Sequence, residues 1–357
     1  MAFEFVTGWD LGGAHLKAAA VDGDGRVVDV MQVPCPLWLG MEQLDAAMGL
    51  ALEKMPGDGL HVVTMTGELT DFFKDRAEGV RAIISRFGKH VPQSRTLVYA
   101  GTEGFLKPAK AAGEPGAVAS ANWAASAQLV AARIPDALFI DIGSTTTDIV
   151  PIVDGIPAIT AYGDAGRLAC EELVYTGVVR TPVMALASRI PFEGAWIRPM
   201  AEYFATTADV YRLTGELPEG ADQLPAADNG DKSVRASARR LARMLGRDVE
   251  SAPLAAWKQC ARHLADCQLT TIREACERIL SGNPMAARTP VIAAGVGRFV
   301  ARKLAAQLGR PYREFDRLIG AAANPWVSSC APAVAVALLA LRAQSMPLRH
   351  GGRQARR

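Results

Sequence analysis

Residues 139–157 read FIDIGSTTTDIVPIVDGIP. An apolar run ends in Asp141, passes through Gly143 and the hydroxyls of Ser144, Thr145, Thr146 and Thr147, meets Asp148, and resumes as a second apolar run that stops at Asp154-Gly155. Two β-rich runs separated by small polar residues predict a hairpin, and Asp-Gly after the second run predicts another turn. The same order stands near the N-terminus in FVTGWDLGGAHLKAAAVDGDGRVVDVMQV, residues 5–33. Aligned, Asp10 falls on Asp141, Gly12 on Gly143, Gly13 on Ser144, His15 on Thr146 and Lys17 on Asp148, with Asp22-Gly23 opposite Asp154-Gly155.

One Asp-x-Gly turn is ordinary punctuation. Two copies with matching flanks form an internal repeat and call for a shared chemistry. Glycines at the tips are expected to allow positive φ and to leave backbone N–H groups facing outward, an anion-binding concavity. The hydroxyls of Ser144, Thr145, Thr146 and Thr147 add donors. A carboxylate at each strand end suits Mg²⁺, which takes one or two carboxylates together with phosphate oxygens. The pair therefore reads as the two jaws of a phosphate clamp, with Asp10 and Asp141 as metal ligands and Gly12, Gly13, Gly143, Ser144, Thr145 and Thr146 on the anion. A third element, TPVIAAGVGRFVARKLAAQLG, is a strand, Gly295-x-Gly297 and a helix, where free N–H groups at the helix start favour an anion or a flat ligand.

The chain has 357 residues, half of them hydrophobic, enough for more than one core. Lys plus Arg (39) and Asp plus Glu (37) nearly cancel, so no global field favours nucleic acid or an anionic membrane. The N-terminus enters a strand pattern without a signal-peptide order, and CAPAVAVALLALRA near the C-terminus is shorter than the ~20 residues of a membrane span. A cytoplasmic protein with reduced thiols is expected, and the six cysteines contain no CxxC pair. Cys260, Cys267 and Cys276 read as packing residues of a helix. Whether the chain pairs as a homodimer is left open.

Along the chain, LHVVTMTGELTDF (60–72) reads as a strand ending in Thr66-Gly67-Glu68 and TLVYAG (96–101) as a further strand, leading to LKPAKAAGEPGAVAS, which reads as a linker. The expected organisation is a first domain over 1–118, joined by a C-terminal helix at 325–345; a second over 119–324 with a helical insertion at about 168–285, where strand patterns vanish; and a disordered basic tail over 346–357. Within the insertion, Arg235, Arg239, Arg240 and Arg243 beside Lys232 read either as a solvated helix face or as a landing site for an anion.

The turns GWDLGGAHLKAAAV and FIDIGSTTTDIV, with VIAAGVGR, resemble the phosphate and adenosine motifs of the superfamily of acetate and sugar kinases, heat-shock ATPases and actin. The resemblance implies an α/β fold of two ribonuclease-H-like domains around a cleft. DIGSTTTDIVPI is similar to the hydantoinase and oxoprolinase A-type proteins. MTGELTD, ASANWAASA, YGDAGRLACEELVYTGVVRTPV and DKSVRASARRLARMLGRD together look like the short hydantoinase-like proteins of tetrahydromethanopterin-linked one-carbon transfer, relatives of a methanofuran-pathway synthase. This implies a transferase in which a tyramine or tyrosine-like phenol attacks the methylene of an aminomethylfuran-methyl diphosphate, expelling pyrophosphate and leaving an aryl ether. Mg²⁺ is then the expected cation, and ATP or ADP is not required. Lys17 is expected to touch the diphosphate, and Asp148 or Asp164 is preferred to His15 as the base for the phenolic proton. Asp164, in AYGDAG, also fits a helix cap, and His15 a turn hydrogen bonder. The competing readings are an ATP-dependent kinase or ATPase on the same clamp and a nucleotide-sensing scaffold, since one fold of this kind hosts several chemistries.

Overall fold

The computed structural model describes residues 3–56, 58–283, 285–321 and 324–345; the expected basic tail lies outside them. Both hairpins form, and each founds a mixed sheet. The first sheet contains β1 (Phe5–Leu11), β2 (His15–Asp22), β3 (Val27–Pro34), β4 (Leu60–Met65), β5 (Thr96–Tyr99) and β6 (Phe105–Leu106) in the order β3-β2-β1-β4-β5-β6. In the second, β7 (Ala137–Ile142), β8 (Thr147–Val153), β9 (Ile156–Pro157) and β10 (Leu173–Val174) precede, in sequence, the hairpin of β11 (Ile190–Phe192) and β12 (Ala195–Ile197), then β13 (Val291–Ala294) and β14 (Tyr312–Glu314). Its order is β10-β8-β7-β13-β14, with β9 also on β8, while β11 and β12 pair only with each other.

The registers repeat the sequence alignment. β1 pairs antiparallel with β2 and parallel with β4, as β7 does with β8 and β13. Asp10 lies opposite Lys17 in the first hairpin, and Asp141 opposite Asp148 in the second. Each tip is closed by the same hydrogen bond, Gly12 N–H to His15 O at 3.0 Å and Gly143 N–H to Thr146 O at 2.8 Å.

Between the sheets lie two alanine-rich helices, Asn122–Ala131 and Ala331–Ser345, which touch each other. The first packs on β7, β8 and β9, and the second on β1, β2 and β4. Ala124, Ala125, Ala127, Ala333, Ala335 and Ala337 are buried there with Val6, Phe139 and Val150, which is why CAPAVAVALLALRA is apolar on every side. Small side chains let helix and strand backbones approach closely. Gly8 of β1 meets the second helix so tightly that a Cβ would stand 1.9 Å from Ala333 O.

Several expectations are corrected. The segment expected as a linker forms the short helices Pro108–Gly113 and Pro115–Val118; proline at the first position of each starts a helix rather than preventing one. Strands do not vanish over 168–285: β10 completes the second sheet, and β11 and β12 precede the helices Thr207–Thr214, Val234–Met244 and Leu254–Gly282. These strands are only two or three residues long, too short for an alternation to register. In the basic helix, Arg240 is buried against Asp209 and Asp228, Arg243 pairs with Asp228, Arg235 with Glu250 and Lys232 with Asp222. Arg240 is thus a packing residue, whereas Arg235, Arg239 and Arg243 lie on the exposed side of the helix, as the solvated-face reading expects. Asp154 and Gly155 are both left-handed, as an Asp-Gly hairpin requires, whereas the first repeat turns two residues later, with Gly25 left-handed.

Gly8→Ala should destabilise the fold by about 3 kcal/mol, because backbone on both sides of the contact must move to admit the methyl group. Urea unfolding followed by circular dichroism would measure it; a change of a few tenths of a kcal/mol would mean that the helix–sheet contact is loose.

Candidate functional site

The ends of β1 and β7 open onto one cavity of about 470 Å³. Its wall contains Asp10, Gly12, Gly13, His15 and Lys17 from the first hairpin and Asp141, Gly143, Ser144, Thr145, Thr146 and Asp148 from the second, with Asp164 beside them. The two repeats thus face a common space.

The glycines act there by close approach rather than by unusual φ. Gly12, Gly13 and Gly143 are absent from the left-handed region, correcting the expectation of positive φ. A Cβ on Gly12 would stand 2.8 Å from His15 O, and one on Gly13 2.8 Å from Thr70 Cγ2. Gly295 and Gly297 do not line the cavity. Gly295, at φ +81°, is pressed on the end of β7, where a Cβ would stand 2.1 Å from Ile142 O and 2.5 Å from Asp141 Oδ1. Gly297 N–H donates to Ile142 O at 2.8 Å. This pair buttresses the second turn from behind, a packing reason for glycine at both positions.

Charge is the main feature of the wall. Asp10 is buried, with Lys17 Nζ 3.7 Å from Oδ2 and no hydrogen-bond partner for Oδ1 among the described residues. Burial pushes its carboxyl up, and Lys17 pulls it partly back. Burial works against the charge of Lys17 as well, but Asp10 and Asp141 outweigh it and hold the ammonium above its usual range. Asp141 keeps some exposure at the wall and has no ion pair of its own among the described residues; burial, against a partial offset from Lys17 and with repulsion from Asp148 and Asp10, raises it to about 7. Asp148 is raised by burial despite Arg167, whose Nη1 stands 2.8 Å from its Oδ1. Asp164 begins the helix Asp164–Ala169 and is held by Arg76 at 2.6 Å and by the hydroxyl of Ser120 at 3.0 Å; its side chain caps no N–H of that helix. His15 is buried and, through burial, Lys17 and Arg180, lowered to about 3, so it is a neutral imidazole.

Among the described residues no group of three or more His, Cys, Asp or Glu side chains is arranged to hold a metal by itself. The residues nevertheless fit Mg²⁺ of the kind that shares its shell with phosphate: hard carboxylate oxygens from two strands, one of them orphaned, and a second carboxyl that burial leaves uncompensated. The cysteines are all free, and Cys260 and Cys276 are buried.

Other wall residues carry no motif that could be read alone: Trp38, Thr66, Thr70, Ser120, Asn122, Trp123, Arg167, Tyr175 and Arg180. Thr66, Thr70, Ser120 and Asn122 fall in the segments MTGELTD and ASANWAASA, already singled out by resemblance. Arg167 stacks over Trp123 at 3.9 Å and donates to Glu172 O at 2.9 Å. In sequence it stands three residues after Asp164, on the same face of a short helix, within the segment YGDAGRLACEELVYTGVVRTPV, which also holds Tyr175 and Arg180 and is singled out by resemblance.

The hydantoinase/oxoprolinase family profile matches residues 60–342. A protein named (4-{4-[2-(gamma-L-glutamylamino)ethyl]phenoxymethyl}furan-2-yl)methanamine synthase, from Methanocaldococcus jannaschii, is 33% identical over 248 residues, 69% of this chain and 72% of that protein. Its namesake from Methanococcus vannielii is 36% identical over 112 residues, 31% of this chain and 50% of that protein. Among solved structures, a nucleotide-free acetone carboxylase superposes with a TM-score of 0.58 at 13% identity over 94% of this chain and 70% of that one, a likeness of fold alone. No helix among the described residues is long and apolar enough to cross a membrane. With its second acidic turn and the greater part of its length inside the matched region, the chain belongs to the hydantoinase/oxoprolinase family.

Proposed function

We propose that the protein is a transferase of methanofuran or methylofuran cofactor biosynthesis. It would join the methylene of an aminomethylfuran-methyl diphosphate to the phenol oxygen of a tyramine-like or glutamyl-tyramine-like unit, with release of pyrophosphate. The carrying observation is the convergence of both acidic turns on one cavity that is also walled by Trp38, Trp123 and Tyr175. The product in the printed name of the archaeal relatives is an aryl–alkyl ether of this kind. On this reading each sheet is the centre of a ribonuclease-H-like lobe, the helices after β10 are an insertion in the second lobe, and the cavity is the cleft.

In the reaction the C–O bond to diphosphate breaks with its electron pair leaving on oxygen, a bond forms from the phenol oxygen to the methylene, and the phenolic proton goes to a carboxylate. The furan oxygen spreads the positive charge of the methylene. The protein's part is to fix the diphosphate, exclude water and place the phenol in line. The hydroxyls of Thr145, Thr146 and Ser144 would receive oxygens that become more negative in the transition state, where such donors have most effect; the N–H groups of Gly12 and Gly143 close the turns instead, so these glycines would serve by close approach. Mg²⁺ held by Asp10 and Asp141 would neutralise further charge on the leaving group. His15, lowered to about 3, is a poor proton acceptor and an adequate hydrogen bonder. Asp148 and Asp164 are the candidates for the base, each oriented by an arginine. An adenosine site is not needed on this reading.

Incubation with the furan diphosphate, Mg²⁺ and tyramine, with and without ATP, followed by mass spectrometry, should give the ether and pyrophosphate in both cases. Formation of ADP, with product only when ATP is present, would sink the proposal. Asp141→Asn should abolish turnover, and its stability should carry a sign. Burial raises the folded pKa of Asp141 to about 7 from 3.8, so the native state binds the extra proton and loses stability as pH rises through that window. Asn mimics the protonated carboxyl. The variant should therefore melt higher than wild type at pH 8 and equal to it near pH 4, as differential scanning calorimetry would read. Gly295→Ala, which crowds Asp141 Oδ1 and strains a φ of +81°, should cut kcat/KM by ~100-fold or more; a fully active variant would free Asp141 from that buttress.

A further inference from the structure

Most charges on the cavity wall are already matched. Lys17 answers Asp10, Arg167 answers Asp148, and Arg76 answers Asp164. Arg180 also lines the wall, yet it makes no ion pair among the described residues. Its Nη1 reaches Thr145 Oγ1 at a long 3.4 Å, and its guanidinium lies over the Trp38 ring at 4.7 Å. A structural arginine in this protein looks different: Arg240 is wholly buried and bonded to Asp209, Asp228 and Asp231 O.

The backbone around Arg180 is fixed to the second turn. Val178 N–H donates to Gly143 O at 3.1 Å, and Val179 and Arg180 N–H groups share Ser144 O at 3.1 and 2.9 Å. Gly177 is pressed so close that a Cβ would stand 2.5 Å from Thr145 N. The Thr181 hydroxyl accepts from Gly177 N–H at 2.8 Å and donates to Gly177 O at 3.1 Å, closing the bracket. On the other side, Trp38 sits on the single turn Leu37–Leu39, whose Leu37 N–H donates to Gly13 O at 3.0 Å. Each jaw thus carries an outrigger, and the two outriggers meet as a cation–π contact.

The geometry points to Arg180 as the residue that grips the diphosphate beside the second turn and neutralises it as it leaves, with Trp38 holding the guanidinium plane over the cavity. The leaving-group part rests on the function proposed above; the grip on a polyphosphate does not. A planar fork of donors matches phosphate oxygens better than a hydroxyl or a point charge. The grip consists of hydrogen bonds and charge and moves no proton: pyrophosphate departs as the anion, and the phenolic proton goes to the carboxylate named above.

Calorimetric titration of pyrophosphate, with and without Mg²⁺, into the whole chain tests this. Arg180→Ala should weaken binding by ~10-fold or more at an unchanged melting temperature. Arg180→Lys should restore only part of it. Arg189→Ala, whose guanidinium lies over Trp196 away from the cavity, should bind as wild type does. Wild-type affinity in Arg180→Ala, or no pyrophosphate binding by the wild type, overturns the assignment. Ether formation by Arg180→Ala at the wild-type rate would overturn it while leaving the synthase reading intact; pyrophosphate binding that depends on Arg180, without ether formation by the wild type, would remove the synthase reading and keep Arg180.

Discussion

Carboxylates held out of water at the ends of two strands govern this molecule. Asp10 and Asp141 close β1 and β7 where the chain must turn, and burial raises both. A charge in such a place persists only if something answers it. The first hairpin answers with Lys17 across the ladder; the second has Asp148 at the equivalent position, doubling the negative charge and recruiting Arg167 from another element. The repeat is symmetrical in backbone and unsymmetrical in charge. That difference leaves Asp141 without an ion pair of its own among the described residues.

The arrangement also explains why the two turns face each other. Two helices of mostly small residues separate the sheets, and their alanines set a short spacing that larger side chains would widen. The same helix that packs on β8 begins with Asn122 and Trp123, which line the cavity. Packing and site are therefore one structure: the spacing that buries Phe139 and Val150 on one side determines how far Ser144 and Thr145 stand from Gly12 and Gly13 on the other.

How much of this was legible in the sequence follows from which interactions are local. The hairpins were, because Asp, Gly and hydroxyls between alternating apolar runs encode a turn within a dozen residues, and the second copy sets the register of the first. Asp10, Lys17, Asp141 and Asp148 could thus be assigned to one wall from spacing alone. Arg167 and Arg180 could not, since each reaches the wall through contacts made across the fold: Arg167 through Asp148 and Trp123, Arg180 through a bracket on Ser144. Gly295 and Gly297 show a strand-glycine-helix pattern common to ligand contact and to tight packing, and the packing part becomes visible only in the fold, where a Cβ on Gly295 would stand 2.1 Å from Ile142 O. In the basic helix only Arg240 departs from a solvated face: it turns inward because Asp209 and Asp228 await it, from 31 and 12 residues away in sequence.

A further buried network ties the halves of the site together. Glu68, raised by burial, accepts from both the N–H and the hydroxyl of Ser120, and the same hydroxyl stands 3.0 Å from Asp164. One hydroxyl proton cannot fully satisfy two carboxylates, so an added proton on Glu68 lets Ser120 turn toward Asp164, while Arg76 holds Asp164 from the other side. Ser120 itself is left-handed at φ 51°, a strained backbone for a non-glycine residue that persists because these bonds over-determine it. Strain at Ser120, an orphan oxygen on Asp10 and uncompensated charge on Asp141 all lie on the same cavity wall. The buried carboxyls of Asp10 and Asp141 each cost stability that an opposite charge would offset, which is the physical reason for the proposed reading of this cavity as a binding site rather than a packing defect.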